Sequence, residues 1–350
     1  MSFLSRNLAG PCLAPAGSVA CVGAFDGVHL GHQALLAQAR GRAAALGLQP
    51  FAVTFEPIPR DFFARGAPVP RLASVREKLQ ALCAGGMAQV LMPRFDAALA
   101  AMPAERFVRD VLCARAGVRE VHVGADFRFG HGRAGDVDLL RRLGQRHGFG
   151  VAMMPEVAVG GERVSSSTIR RHLAAGAFDA AAALLGRRFT IGGHVVRGAG
   201  LGRTLGWPTA NIRLGRRAAP VSGILAVRVH GAGASPLPGV ASLGVRPTVT
   251  GDGEPLLEAH LFDFDGDLYG RRIEVEFVAK LRDEERFPDL AAMVRQIERD
   301  ALAARAILEQ ADAQRPAHVG DNAALSGSRC IGAGVAAAGA GVHRANPEQH

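Results

Sequence analysis

Lysine is nearly absent from this chain of 350 residues: Lys78 and Lys280 are the only two, so arginine supplies almost all of the 41 cationic side chains. The shortage excludes a Walker A phosphate loop, because no Gly-x-x-x-x-Gly-Lys stretch occurs. Aromatic residues make up 5% of the chain, with one Trp and one Tyr, and none are interleaved with basic runs as nucleic-acid binding would ask. Cysteine is scarce and scattered (Cys12, Cys21, Cys83, Cys113 and Cys330) with no Cys-x-x-Cys pair. That set argues against a disulfide framework or zinc module and for a reducing, cytoplasmic compartment. No apolar run approaches the ~20 residues that cross a bilayer, so no membrane partner is expected. The stretch before residue 18 contains Pro11 and Pro15 and runs straight into the first strand-like segment. It reads as a leader to the domain rather than a signal peptide.

What is present points to two folded units. A chain of this length with 48% hydrophobic residues can bury two cores. Residues 18–186 alternate strand-like segments (19–23, 51–55, 89–92, 120–124, 150–154) with helical patterns at 75–82, 104–114 and 138–147. That alternation predicts a parallel sheet with helices on both faces and ligands beyond the carboxyl ends of its strands. After Gly186 the pattern turns to short strands and glycine-rich turns, among them 224–229 and the alternating apolar and acidic residues 273–278. This predicts a small antiparallel barrel closed by a helix. Leu290, Val294, Ile297, Ala301, Ala304 and Leu308 recur at helical spacing and read as core, with Pro288 in the first turn. The expected domains are therefore 1–186 and 187–312. Residues 313–350, rich in Ala, Gly and Ser, read as a disordered tail.

The net charge is +9, spread over dispersed arginines. Nucleic-acid binding, polyphosphate ligands and compositional bias each account for such a charge. Without a basic run, no nucleic-acid partner is expected.

The strongest local signal is Phe25-Asp26-Gly27-Val28-His29-Leu30-Gly31-His32, a tight turn between a strand and a helix. Free N–H groups and the positive end of a helix dipole favour an anion there. Gly27 and Gly31 are expected to clear side chains from a phosphate, and the two imidazoles can donate to charge on phosphate oxygens. A bare His-x-x-His also suits a metal pair, but no third ligand cluster lies nearby. A second signal is Val164-Ser165-Ser166-Ser167-Thr168-Ile169-Arg170. Its hydroxyls can cap a helix, and Arg170, placed in the first turn, can clamp a triphosphate.

Together these segments resemble the HxGH nucleotidyltransferase superfamily and, more narrowly, the FAD synthetase module of bacterial bifunctional riboflavin kinase/FAD synthetases. The matching pieces are Gly23 to His32, Thr54-Phe55-Glu56-Pro57, Gly124-Ala125-Asp126-Phe127-Arg128-Phe129-Gly130, and the serine run with Ile169-Arg170. The second half supports the same family. Gly198-Ala199-Gly200-Leu201-Gly202-Arg203-Thr204-Leu205-Gly206-Trp207-Pro208-Thr209-Ala210-Asn211 has flexible backbone to wrap phosphates, and its Thr209 and Asn211 are oxygen ligands suited to Mg²⁺. Its Pro-Thr-Ala-Asn end is specific to riboflavin kinases. Glu258-Ala259-His260-Leu261, Asp267-Leu268-Tyr269-Gly270, Leu281-Arg282 and Phe287 follow in the family's order.

The resemblance implies a Rossmann-like nucleotidyltransferase domain, then a small antiparallel β-barrel with a C-terminal helix. It implies riboflavin, FMN and ATP as substrates and Mg²⁺ with ATP, and leaves a homo-oligomer open. Glu258 stands at the family's catalytic base; His29 and His32 are the other catalytic candidates. ATP and phosphate contacts are implied for Gly23, Phe25, Gly31, Ser165, Ser166, Ser167 and Arg170 in the first site. In the second they are implied for Gly198, Gly202, Arg203, Pro208, Thr209 and Asn211, with Thr209 and Asn211 also holding the metal. Asp126 and Arg282 are placed near flavin or nucleotide. Three residues depart from the family pattern: Ile58 for a histidine, Ser167 for a threonine and Leu225 for a tyrosine.

Overall fold

The computed structural model describes residues 3–64, 68–198, 200–215, 217–245 and 255–314. The first domain is a six-stranded sheet in the order β1-β4-β3-β2-β5-β6. Its strands are β1 (Leu4–Ser5), β2 (Ser18–Val22), β3 (Gln49–Val53), β4 (Gln89–Leu91), β5 (Val118–Gly124) and β6 (Gly150–Met154), and every pairing is parallel. Five of them lie where the apolar segments predicted. The sixth, β1, comes from the expected leader, which pairs with β4 at the sheet edge.

Alternation within each strand builds two cores, one on each face. Val19, Cys21, Ala52 and Val90 meet Leu35, Leu36 and Ala39 of the helix Leu30–Leu46 and Leu79 and Leu82 of the helix Val75–Ala84. Ala20, Val22, Phe51, Val53, Val121 and Val123 pack on the other side against the helix Val137–His147 and the segment 104–115. That segment starts as an α-helix and widens into π-helical turns at Phe107–Arg115. β2 lies between β3 and β5, so the chain order reverses there. A crevice opens at such a reversal outside the strand ends, where the turn after β2 and the residues after β5 both sit.

A hairpin of β7 (Ala158–Val159) and β8 (Glu162–Arg163) leads out of the sheet. Its Gly160 and Gly161 have φ of 59° and 82°, the left-handed values a two-residue hairpin requires. The second domain is a closed antiparallel barrel of β9 (Thr190–Val196), β10 (Ala210–Arg213), β11 (Gly223–His230), β12 (Leu237–Val245), β13 (Pro255–Leu261) and β14 (Arg272–Arg282). In β13, Leu257, Ala259 and Leu261 are buried in the barrel core, so Leu256, Glu258 and His260 face outward.

The barrel core reaches further back along the chain than residue 187. Ile169 and Leu173 of the helix Ser166–Ala174, and Phe178, Ala181, Leu184 and Leu185 of the helix Phe178–Leu185, belong to the same cluster. Phe178 and Phe189 both stack on Phe277, at 6.1 and 5.7 Å.

The helix Leu290–Ala313 closes the molecule. Its cap is Asp289, which accepts from the Ala292 N–H at 2.6 Å; Pro288 lies before the cap rather than in the first turn. Only the second half of the expected apolar stripe is core: Ala301, Ala304 and Leu308 are buried against the barrel's outer face, while Leu290 is 54% exposed. The expected tail falls outside the described residues beyond Gln314. Among the described residues Cys12, Cys21 and Cys113 are free thiols.

Candidate active sites

The turn after β2 carries unusual backbone. Phe25, Gly27 and Val28 have φ of 49°, 83° and 41°. For a β-branched residue such as Val28 the left-handed region costs about 1–3 kcal/mol, so neighbours must hold it. Phe25, expected to touch nucleotide, has its ring fully buried and meets His32 edge-on at 5.1 Å; the ring is core. Gly23 lies against the same ring, which would be 3.3 Å from an added Cβ. The space at Gly27 is filled by Leu72 and Leu185, and that at Gly31 by the His29 imidazole. At both glycines an added side chain would press on protein packing.

His29 caps the helix Leu30–Leu46: its Nδ1 accepts from the His32 N–H at 3.3 Å, which leaves the ring proton on Nε2. The two imidazoles stack with centroids 3.7 Å apart. Burial pushes His29 down to about 4. Burial first, then the neighbouring His29 and Lys78, holds His32 well below the ordinary imidazole range. Both rings are neutral at pH 7, and each offers a single N–H at a helix start.

This neutrality has a measurable cost in acid. The unfolded chain binds a proton at residue 29 near pH 6.5, while the folded chain resists it down to about 4. Folded-state stability therefore falls as pH drops through that window. The thermal midpoint of the native protein should fall more steeply between pH 6.5 and 4 than that of His29→Gln. Equal slopes would mean that His29 is not held neutral.

Around the histidines lies a charged network that the sequence did not reveal. Asp26 is buried and accepts from Leu72 N–H at 3.1 Å and Ala73 N–H at 3.3 Å. Arg71 forks onto Glu56, with both contacts at 3.1 Å, and reaches Asp61 at 2.8 Å. Lys78, fully buried, donates to Phe55 O at 3.1 Å and Glu56 at 3.3 Å. Arg170, expected on a triphosphate, pairs with Asp26 and donates to the Pro70 carbonyl. It is the fifth residue of the helix Ser166–Ala174, a turn later than expected.

Ser165 caps that helix, accepting from Thr168 N–H at 3.1 Å. Ser166 donates to Asp26 O at 3.0 Å, and Ser167 accepts from Arg60 at 2.9 Å. The serine run and the histidine turn thus meet in space. Asp126 stands exposed after β5 and pairs with Arg163 at 3.0 Å. Of the departing residues, Ile58 and Leu225 are both buried. Phe62 and Phe63 are exposed and meet Phe95 edge-on at 5.3 and 5.8 Å.

The second site is a cavity of about 770 Å³ on the barrel's outer face. It gathers every residue expected there: Gly198, Gly202, Arg203, Pro208, Thr209, Asn211, Glu258 and Arg282. Strand register explains the meeting, since Asn211 on β10 and Ser242 on β12 both lie opposite Glu258 on β13. Thr209 Oγ1 and Asn211 Oδ1 are 3.5 Å apart. The glycines are needed for approach: a Cβ at Gly202 would lie 2.3 Å from the Trp207 carbonyl. His260 donates from Nδ1 to the Pro208 carbonyl at 2.8 Å and so steadies the segment before Thr209. Arg282 is bonded to Asp300 at 2.8 Å and lies over Phe287 at 5.7 Å. Met293 and Ile297 of the closing helix line the cavity, so Ile297 is wall rather than core.

Known proteins match both halves. The FAD synthetase family profile matches residues 13–168 and the riboflavin kinase profile residues 185–308. A bifunctional riboflavin kinase/FMN adenylyltransferase of Pseudomonas fluorescens is 48% identical over 83% of this chain and 93% of its own. The chain belongs to the bifunctional riboflavin kinase/FMN adenylyltransferases. The Escherichia coli K12 enzyme of that name is 45% identical over 83% of this chain and 92% of its own. A Streptococcus pneumoniae crystal structure, described as a macrolide-efflux protein, shares the fold with a TM-score of 0.72 and 26% identity over 87% of this chain and 98% of that one. Among the described residues no helix is long and apolar enough to cross a membrane.

The bifunctional enzyme phosphorylates riboflavin to FMN with ATP and then joins FMN to the adenylyl group of a second ATP, giving FAD. Ser242 and Asp300 belong to its cavity wall but carry no sequence signal, and Trp207 and His260, also in that wall, stood in the matching motifs without a role of their own. The outward alternation of β13 was the signal that would have found His260.

Proposed function

We propose that the barrel cavity is the riboflavin kinase site and that the turn at His29 and His32 is the FMN adenylylation site. The observation that carries the first assignment is the register that sets Glu258 across from Asn211 on one cavity wall. The 5′-hydroxyl of riboflavin is a weak nucleophile at neutral pH and gains from a base. Glu258 takes its proton as the oxygen bonds to the γ-phosphorus and the bond to the β,γ-bridging oxygen breaks. Gly198, Gly202 and Arg203 wrap the phosphates, with Pro208 stiffening the segment. Arg282, held by Asp300, orients the flavin beside Phe287.

Mg²⁺ fits this wall. Thr209 Oγ1 and Asn211 Oδ1 are hard neutral oxygens 3.5 Å apart. Among the described residues no group of three or more His, Cys, Asp or Glu could cage a metal, which suits an ion held mainly by ATP phosphates and one or two protein oxygens. Bound there, the ion offsets phosphate charge.

In the first site the attacking group is the FMN phosphate, already anionic, so no strong base is needed. His29 and His32 donate to the phosphates as the bond to the α-phosphorus forms and pyrophosphate leaves. Gly23, Gly31 and the serine run supply backbone and hydroxyl donors. Arg170 acts through Asp26 rather than as a direct clamp. The exposed Phe62, Phe63 and Phe95 offer a face for the isoalloxazine.

The test is to incubate the protein with riboflavin and ATP, with MgCl₂ or with excess EDTA, and to follow FMN and FAD by chromatography. Both products are expected with Mg²⁺ and neither with EDTA. FMN formation in EDTA would remove the metal from the kinase assignment. ATP is an intracellular substrate, which supports the cytoplasmic location expected from the sequence.

A further inference from the structure

Arg187 belongs to no motif, yet it reaches the adenylylation turn from the far side of the chain. The helix Phe178–Leu185 ends on Gly186 at φ 73°, and Arg187 follows. A Cβ at Gly186 would stand 2.6 Å from the Leu30 side chain, so this linker lies directly on the start of the helix Leu30–Leu46. The Arg187 guanidinium donates to the Gly27 carbonyl at 2.7 Å, and to the Val28 and Leu185 carbonyls at 3.5 Å. Gln33 Nε2 donates to the Val28 and Leu185 carbonyls, both at 2.9 Å.

The Gly27 and Val28 carbonyls belong to the peptide planes on either side of Val28. Holding both planes holds Val28 at its left-handed φ of 41°, a conformation a β-branched residue leaves when unrestrained. The next residue is His29, whose Nδ1 meets the His32 N–H and whose ring stacks on His32. Two rings therefore take their place from one backbone conformation.

We propose that Arg187 is a positioning residue for FMN adenylylation: by gripping the Gly27 and Val28 carbonyls it fixes where His29 and His32 present their N–H groups. The proposal rests on the reading that these histidines serve adenylylation. It makes the segment leading into the kinase barrel a structural part of the other active site. None of the atoms involved lines the barrel cavity, so the effect is confined to one of two activities carried by the same chain.

The full-length enzyme is tested as Arg187→Ala, Arg187→Lys, Gln33→Leu and His32→Ala. FAD formation from supplied FMN and FMN formation from riboflavin are measured separately. In Arg187→Ala we expect kcat for adenylylation to drop about tenfold or more, as small misplacement of reacting groups does. The KM for ATP should stay within about threefold and riboflavin phosphorylation should be unchanged. Arg187→Lys should recover part of the loss, because an ammonium reaches one carbonyl but not two. A folded Arg187→Ala enzyme with normal adenylylation, beside a dead His32→Ala, overturns the proposal. So does an equal fall in both activities. If Arg187→Ala does not fold, Gln33→Leu carries the test through the shared Val28 carbonyl: a several-fold lower adenylylation kcat supports the proposal and an unchanged one overturns it. A His32→Ala enzyme that still makes FAD overturns the reading beneath it.

Discussion

Replacing Glu258 by glutamine is expected to cut FMN formation about 10²–10⁴-fold, the range a general base contributes. Supplied FMN should still become FAD at the native rate. The substitution keeps the shape of the side chain and the register of β13 against β10 and β12. It removes only the ability to accept a proton. Because the lost step is proton removal, kcat should fall while the KM for ATP holds. Initial rates of FMN appearance from riboflavin, with FAD formation from FMN as the internal control, give the answer. An enzyme retaining most of its kinase rate would dismiss Glu258 as the base.

The converse result is expected for His32→Ala. FAD formation should fall about 10²–10³-fold, the effect of deleting one well-placed donor to developing charge. Riboflavin phosphorylation should continue, so FMN accumulates. The side chain is stacked at 3.7 Å on His29 and edge-on to Phe25 at 5.1 Å, so its loss also frees the neighbouring imidazole. A thermal melt separates that loosening from a loss of fold. Loss of both activities in a folded enzyme would defeat the assignment of the two reactions to two separate sites.

Much of this was legible in the chain. Period-two alternation in 19–22 and 51–53 put successive side chains on opposite faces of the sheet, and the structure places them in two separate cores. The glycine-rich segment and Glu258, 47 residues apart between Asn211 and the carboxylate, read as one site only through resemblance; the barrel register makes them neighbours. Some readings failed for identifiable reasons. Leu290 and Ile297 share helical spacing with Ala301 and Leu308, but spacing shows which residues share a face, not whether anything covers it. The cavity lies over the first half of that helix, so its apolar residues are wall or exposed surface. Arg170 read as a phosphate clamp with no sign of its pairing to Asp26, because that partner is 144 residues away in sequence. Phe25 read as a ligand contact because a motif does not show which side of a turn faces inward.

The sequence by itself determined the order of strands and helices, the parallel sheet followed by an antiparallel barrel, and the family. Those depend on local periodicity, capping and short motifs, which act over a few residues. Only the tertiary structure decided that Arg71, Lys78 and Arg170 neutralise acids beside the histidines, and that the linker at Arg187 holds their turn. It also decided that the helices 166–185 pack with the barrel. These outcomes depend on which buried groups come within hydrogen-bonding or van der Waals reach of one another, and that reach is set by the packing of distant segments.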